Sequence, residues 1–132
     1  CARISLEPDI ARLAAELISE EQRAELLDII KRFEKEATED RYTTTVDWEF
    51  HRFLARVSGN AIYIMVMEMI GKAMETRMWE LILSRTIATK KYRERNNFEH
   101  LHIAQAVLDK RADDAYAFMK EHMEQLYMRY WS

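Results

Sequence analysis

The sequence predicts an all-α fold, an antiparallel bundle of six helices in a single domain, on three observations. Turn chemistry is nearly missing: 132 residues hold only two Gly and one Pro, whereas a β protein needs turn residues every ten positions or so. Apolar residues recur at three- and four-residue spacing in one segment after another. Finally, 48% apolar and 33% charged residues describe a globular chain, long enough to bury a real core.

The first helix is predicted from about Arg3 to Ile18, with Pro8 near its start and Leu6, Ile10, Leu13, Ala14 and Leu17 as its buried face. Ser19, with Gln22 three residues on, makes a capping box for the second. That helix carries Leu26, Leu27, Ile29, Ile30 and Phe33 inward to about Ala37. Thr43, Thr44 and Thr45 offer an N-cap for the third helix, whose stripe is Val46, Phe50, Phe53, Leu54 and Val57 and whose stop is Gly59.

Asn60 opens the fourth helix. Its first turns, residues 61–67, are apolar on every side, which predicts a central helix. Met65, Met67, Met69, Met74 and Met78 read either as an adaptable pocket wall or as core or dimer packing. Residues 90–97, rich in Lys, Arg and Glu, read as a solvated connection with a frayed helical start. The fifth helix is expected from about Asn97 to Asp109. The sixth starts near Asp113 and carries Ala115, Phe118, Met119, Leu126 and Tyr130 inward.

Composition also excludes functions. A net charge of −3 argues against this chain gripping a phosphate backbone by itself. The single Cys1 allows no disulfide framework, which points to a reducing, cytoplasmic compartment. No apolar run approaches the ~18 residues of a membrane span, and no signal peptide is visible. Cys1 stands where an initiator Met would, so the chain reads as a segment of a longer protein.

The chemistry-bearing stretch is Asp47-Trp48-Glu49-Phe50-His51. Asp47 and His51, four residues apart, share one helix face on the shoulder of the apolar stripe, and both side chains can reach one cation. On the fifth helix His100 leads the inward stripe Ile103, Ala104, Val107. His122 lies between Phe118 and Leu126 on the sixth. His102 falls about 200° round from His100, with Gln105 and Asp109, and faces water. Three inward His and one inward Asp from three helices suit a metal site in a bundle core. Taken singly, Asp47–His51 also reads as a local ion pair, and each inward His as a core residue satisfied by a backbone carbonyl.

Arg3-x-x-Leu6-Glu7, Leu13-Ala14-Ala15, Asp47-x-Glu49-Phe50-His51, Ser58-Gly59-Asn60, Glu99-His100, Ala106-Val107 and His122-Met123 occur in that order. The series resembles the FCD domain, the C-terminal effector-binding domain of FadR-type GntR transcription regulators, over essentially the whole chain. The resemblance implies a dimeric bundle of six or seven helices. It also implies a divalent metal held by Asp47, His51, His100 and His122, and a small carboxylate effector on the metal's open positions. Arg3 and Asn60 match polar positions of the effector pocket, although Arg3 also suits an i,i+4 pair with Glu7 and Asn60 a simple N-cap.

One carboxylate and three imidazoles suit zinc first, with nickel, manganese or iron also accommodated. The function then expected is ligand sensing that controls operator DNA binding through a winged helix-turn-helix absent from this chain. The alternatives are a bundle that metal merely staples, and a metal-dependent hydrolase, for which no inward Glu or second His is clearly placed as a general base although Glu49 and Glu99 are near in sequence.

Overall fold

In the computed structural model, residues 2–39, 44–74 and 90–131 are described, and among them every element is helical. The helices are α1 (Ala2–Leu17), α2 (Glu20–Thr38), α3 (Thr44–Ser58), α4 (Ala61–Met74), α5 (Lys90–Leu108) and α6 (Ala112–Trp131). Of the expected features, Thr43, Met78 and the side chains of Met74 and Tyr130 lie outside the described residues.

Paired contacts fix the helix directions. Arg32 meets Glu49 and Arg56 meets Glu25, so α2 and α3 run antiparallel. Trp48 lies against Gly71 and Arg52 bonds Glu68, so α3 and α4 do as well. Glu99 pairs with His122 and His102 with Phe118, which sets α5 against α6. Along α1 and α6, Arg12 sits over Tyr116 at 4.2 Å. Near the start of α6, Lys110 Nζ donates to the carbonyl of Ile18 at 3.1 Å. Consequently α1, α3 and α5 point one way, and α2, α4 and α6 the other.

The central helix is α1, which packs against α3, α5 and α6. Ala11, Ala14 and Ala15 are fully buried on it, and such small side chains let neighbouring backbones approach closely. The first correction concerns the faces of α1 and α2. The buried face of α1 is centred on Glu7, Ile10, Ala11, Ala14 and Ile18, whereas Leu17 is exposed and Leu13 only partly buried. The large leucines drew attention to the rim, while alanines mark the true contact. On α2, Leu26, Ile29 and Phe33 are buried as expected, but Leu27 is exposed.

The second correction concerns α4, expected to be central. Among the described residues it packs to any extent on α3 alone, and leaves Ile62, Met65 and Met69 68%, 63% and 68% exposed. Only Met67 of its methionines in the described set is buried.

The third correction is that residues 90–97 are not a connection but the first two turns of α5. Lys, Arg and Glu are good helix formers. Lys90–Glu94 and Arg95–Glu99 pair at i,i+4, both at 3.8 Å, and Asn96 and Asn97 are buried rather than solvated.

Helix ends follow the sequence signals. Ser19 Oγ accepts from Gln22 N at 3.2 Å, and Gln22 Oε1 accepts from Ser19 N at 3.0 Å, completing the capping box. Gly59 ends α3 with φ +67°, a conformation cheap only for glycine. The core around Phe33, Phe50, Phe53, Leu54, Ile103, Val107 and Met119 is continuous, with Phe33 and Phe50 edge to face at 5.7 Å. The three inward histidines sit within it.

Candidate metal centre

The turn of α3 that carries Phe50 and Phe53 into the core brings Asp47 and His51 to the same junction, because four residues make just over one turn. Asp47 Oδ1 lies 3.1 Å from His51 Nε2 and 3.0 Å from His100 Nε2, and the two imidazole nitrogens are 3.3 Å apart. His122 on α6 completes the group, its ring centroid 4.5 Å from that of His100. The three histidines are 0–1% exposed, and each offers a nitrogen within 4.8 Å of the others, a grouping able to hold a metal ion. Asp47 retains an 18% exposed side chain, at the edge of the cluster.

Two carboxylates anchor the outer faces of these rings. Glu7 of α1, itself buried, contacts His51 Nδ1 and bonds Arg3 Nε through its other oxygen. Glu99 Oε1 of α5 lies 2.6 Å from His122 Nδ1. Holding Nδ1 from behind turns Nε2 toward the centre and raises its basicity, the usual support of metal-ligating histidines. The ring of His100 is stacked on Phe33 at 4.9 Å, which fixes it by packing instead.

Charge in the cluster is strongly coupled. Burial alone would push Glu7 up, but the Arg3 guanidinium and His51 outweigh it and bring its pKa down to about 2. For Asp47 burial is likewise outweighed, by His100 and then His51, and the carboxyl is held well below its ordinary range. Burial would depress His51, yet Glu7 and Asp47 raise it to about 9. His122 goes the other way, to about 4, because burial and then the neighbouring His100 disfavour its cation.

The residues fit a divalent cation. Bonds of about 2.0–2.2 Å to one ion, meeting at 90–109°, place donor atoms roughly 2.8–3.6 Å apart. The edges of 3.0, 3.1 and 3.3 Å in the structure fall within that range. Three imidazoles crowded in a core carry a cost in desolvation and repulsion that one shared cation would offset.

The remaining candidate residues differ in their distance from the cluster. Arg3 is mostly buried and bonded to Glu7. Asn60 is exposed, and its Oδ1 accepts from Ile62 N at 2.9 Å and Tyr63 N at 3.2 Å, so it caps α4, beyond the end of α3, which itself lies about 10 Å along the axis from His51. His102 faces solvent between Phe98 and Phe118. Glu49 pairs with Arg32 on the surface. Sequence reasoning missed Glu7 and Glu99 as histidine anchors. The available signal for Glu7 was its place one turn before Ile10 and Ala11, on the inward face of α1.

The FCD domain model matches residues 1–125. The chain therefore belongs to the FCD domain family, the C-terminal domain of GntR-family transcription regulators. No match to it is found among curated proteins. Among the described residues, no helix is long and apolar enough to cross a membrane.

Proposed function

We propose that this chain is the ligand-sensing domain of a FadR-type regulator, in which Asp47, His51, His100 and His122 hold one divalent cation and a small carboxylate effector binds at it. The observation that carries the reading is the convergence of Asp47 Oδ1, His51 Nε2 and His100 Nε2 at 3.0–3.3 Å, with Glu7 and Glu99 behind two of the rings. The donor set contains no thiolate, so zinc, nickel, manganese and iron all suit it, and zinc is first choice. When bound, the ion supplies positive charge and open positions to a carboxylate.

The chain's own residues do the rest. Asp47 and His51 bring α3, His100 brings α5 and His122 brings α6 to one point, with α1 tied in through Glu7. An acid bound there changes the relative stability of two helix arrangements by its differential affinity for them. In the whole regulator, the change reaches a winged helix-turn-helix preceding this domain and alters the spacing of two DNA-reading heads. The exposed stripe Ile62, Met65 and Met69 on α4, at i, i+3 and i+7, serves as the homodimer interface. Arg3 contributes positive charge beside Glu7, and Asn60 keeps its capping role.

The domain is not an enzyme in this reading. Of the carboxylates a hydrolase would call on as base, Glu49 is held by Arg32 and Glu99 by His122. The test is thermal melting of the zinc-loaded chain with acetate, citrate and other small acids. An acid at 100 times its Kd stabilises by about 2.7 kcal/mol, which raises Tm by several degrees, and chelation of the zinc abolishes the rise. A melting point unmoved by every acid would leave only a metal-stapled bundle.

A further inference from the structure

Four helix ends meet at the end of the bundle away from the histidines. They are the C-termini of α1 and α5 and the N-termini of α2 and α6. A helix C-terminus leaves carbonyls without partners, and here both are met by a cation from the opposite hairpin. Arg23 of α2 donates to the Leu108 carbonyl of α5. Lys110, just after α5, donates through Nζ to the carbonyls of Glu16 at 3.3 Å and Ile18 at 3.1 Å, where α1 ends. Positive charge at those ends also complements the helix dipoles.

Lys110 is the unusual member. Arg111 N bonds the Ala106 carbonyl at 2.9 Å and Lys110 N bonds that of Val107 at 3.1 Å, the two bonds that close a helix through one left-handed residue. Lys110 is that residue, at φ +55°, and among the described residues it is the one non-glycine with positive φ. Gly59 does the same task at the end of α3, and a Cβ makes this conformation less favourable. Strain kept where glycine would close the turn freely points to a role for the side chain. The role visible here is the reach of the ammonium across to α1.

We infer that this crossed pair of cations is the fixed pivot of the domain's response: the α1–α2 and α5–α6 hairpins stay joined there and open or close at the metal end. This rests on the metal reading above and adds the route by which a change at the cluster travels. At a rise of about 1.5 Å per residue, Glu7 lies about 16 Å along α1 from Ile18, and Ala2 about 24 Å. A displacement at the cluster therefore grows about 1.5-fold at the start of α1, the side on which the DNA-reading head is proposed to lie.

The test is pulsed electron-spin distance measurement on the full chain, with nitroxides at two pairs of exposed positions and Cys1→Ser to remove the single native thiol. Glu21→Cys with Asp113→Cys spans the pivot, and Lys35→Cys with Glu124→Cys spans the metal end. On α2, Lys35 lies about 18 Å from Arg23 and Glu21 about 3 Å, so chelating the zinc should shift the Lys35–Glu124 distance at least about threefold more than the Glu21–Asp113 distance. Lys110→Gly keeps the turn and removes the ammonium. Alone, and more so with Arg23→Met, it should let the Glu21–Asp113 distance shift on chelation too. Equal shifts at both pairs in the wild type, or none at either, would overturn the inference. A Glu21–Asp113 distance that stays fixed in Lys110→Gly and in the double variant would also overturn it, since packing and not the cations would hold that end. A wild type that takes up no zinc would instead overturn the metal reading, and this inference with it.

Discussion

Replacing Glu7 by Gln removes the charge behind His51 while keeping the side chain's size. Glu7 is buried between Arg3 and His51 Nδ1, so no solvent takes its place. Loss of such an outer partner typically weakens a metal site 10–100-fold, about 1.4–2.7 kcal/mol. The proton adds a second effect of opposite sign. Glu7 and Asp47 hold the His51 pKa at about 9, so at pH 7 the metal must displace a proton from the wild type. In Glu7→Gln that pKa falls and the competition weakens. The full 10–100-fold loss is therefore expected above pH 9, and it shrinks toward pH 7. The assay is zinc competition against a chromogenic chelator at both pH values, with proton release measured by calorimetry in buffers of differing ionisation enthalpy. Near pH 7 the wild type should release about one proton more than the variant. Unchanged affinity above pH 9, or the same fold-loss at both pH values, would refute the reasoning.

Three further outcomes follow from the same geometry. A Cβ added at Gly71 would meet the Trp48 ring at 2.4–2.5 Å, so Gly71→Ala should destabilise by about 1–3 kcal/mol through overpacking, seen in urea melts and as a shift in Trp fluorescence, with zinc content kept. Ser19→Ala removes the capping box of α2 and should cost about 1 kcal/mol in the same melts, without touching zinc affinity. In the metal-free chain, His122 with its folded pKa at about 4 contributes stability present above pH 6.5 and lost as pH falls toward 4. His51 at about 9 contributes stability present below pH 6.5 and lost as pH rises toward 9. Denaturation between pH 4 and 9 should accordingly show a maximum near pH 6.5, and a profile rising or falling steadily through that point would contradict the coupling.

Much of the fold could be read from local signals that the structure repeats. Ser19 and Gln22 cap α2, Gly59 ends α3, and Phe50, Phe53 and Leu54 face the core because their spacing leaves them no other face. Periodicity also turned His100 and His122 inward and His102 outward, as found. What escaped depends on partners distant in sequence. Ala11, Ala14 and Ala15 carry little hydrophobic weight, yet they make α1 central by allowing close approach. The apolar α4 looked central because a sequence does not distinguish a buried apolar face from an exposed one. Asn96 and Asn97 look like loop residues until burial places them in α5, and Glu7 looks like half of a surface pair with Arg3 until His51 arrives from α3.

The most direct test of the central claim is metal analysis of purified protein, comparing the wild type with His100→Ala and His122→Ala. About one divalent ion per chain is expected in the wild type, and its loss in both variants, since His100 and His122 come from different helices and meet in one grouping able to hold a metal ion. A wild-type chain that carries no metal and takes none up on addition would contradict that claim.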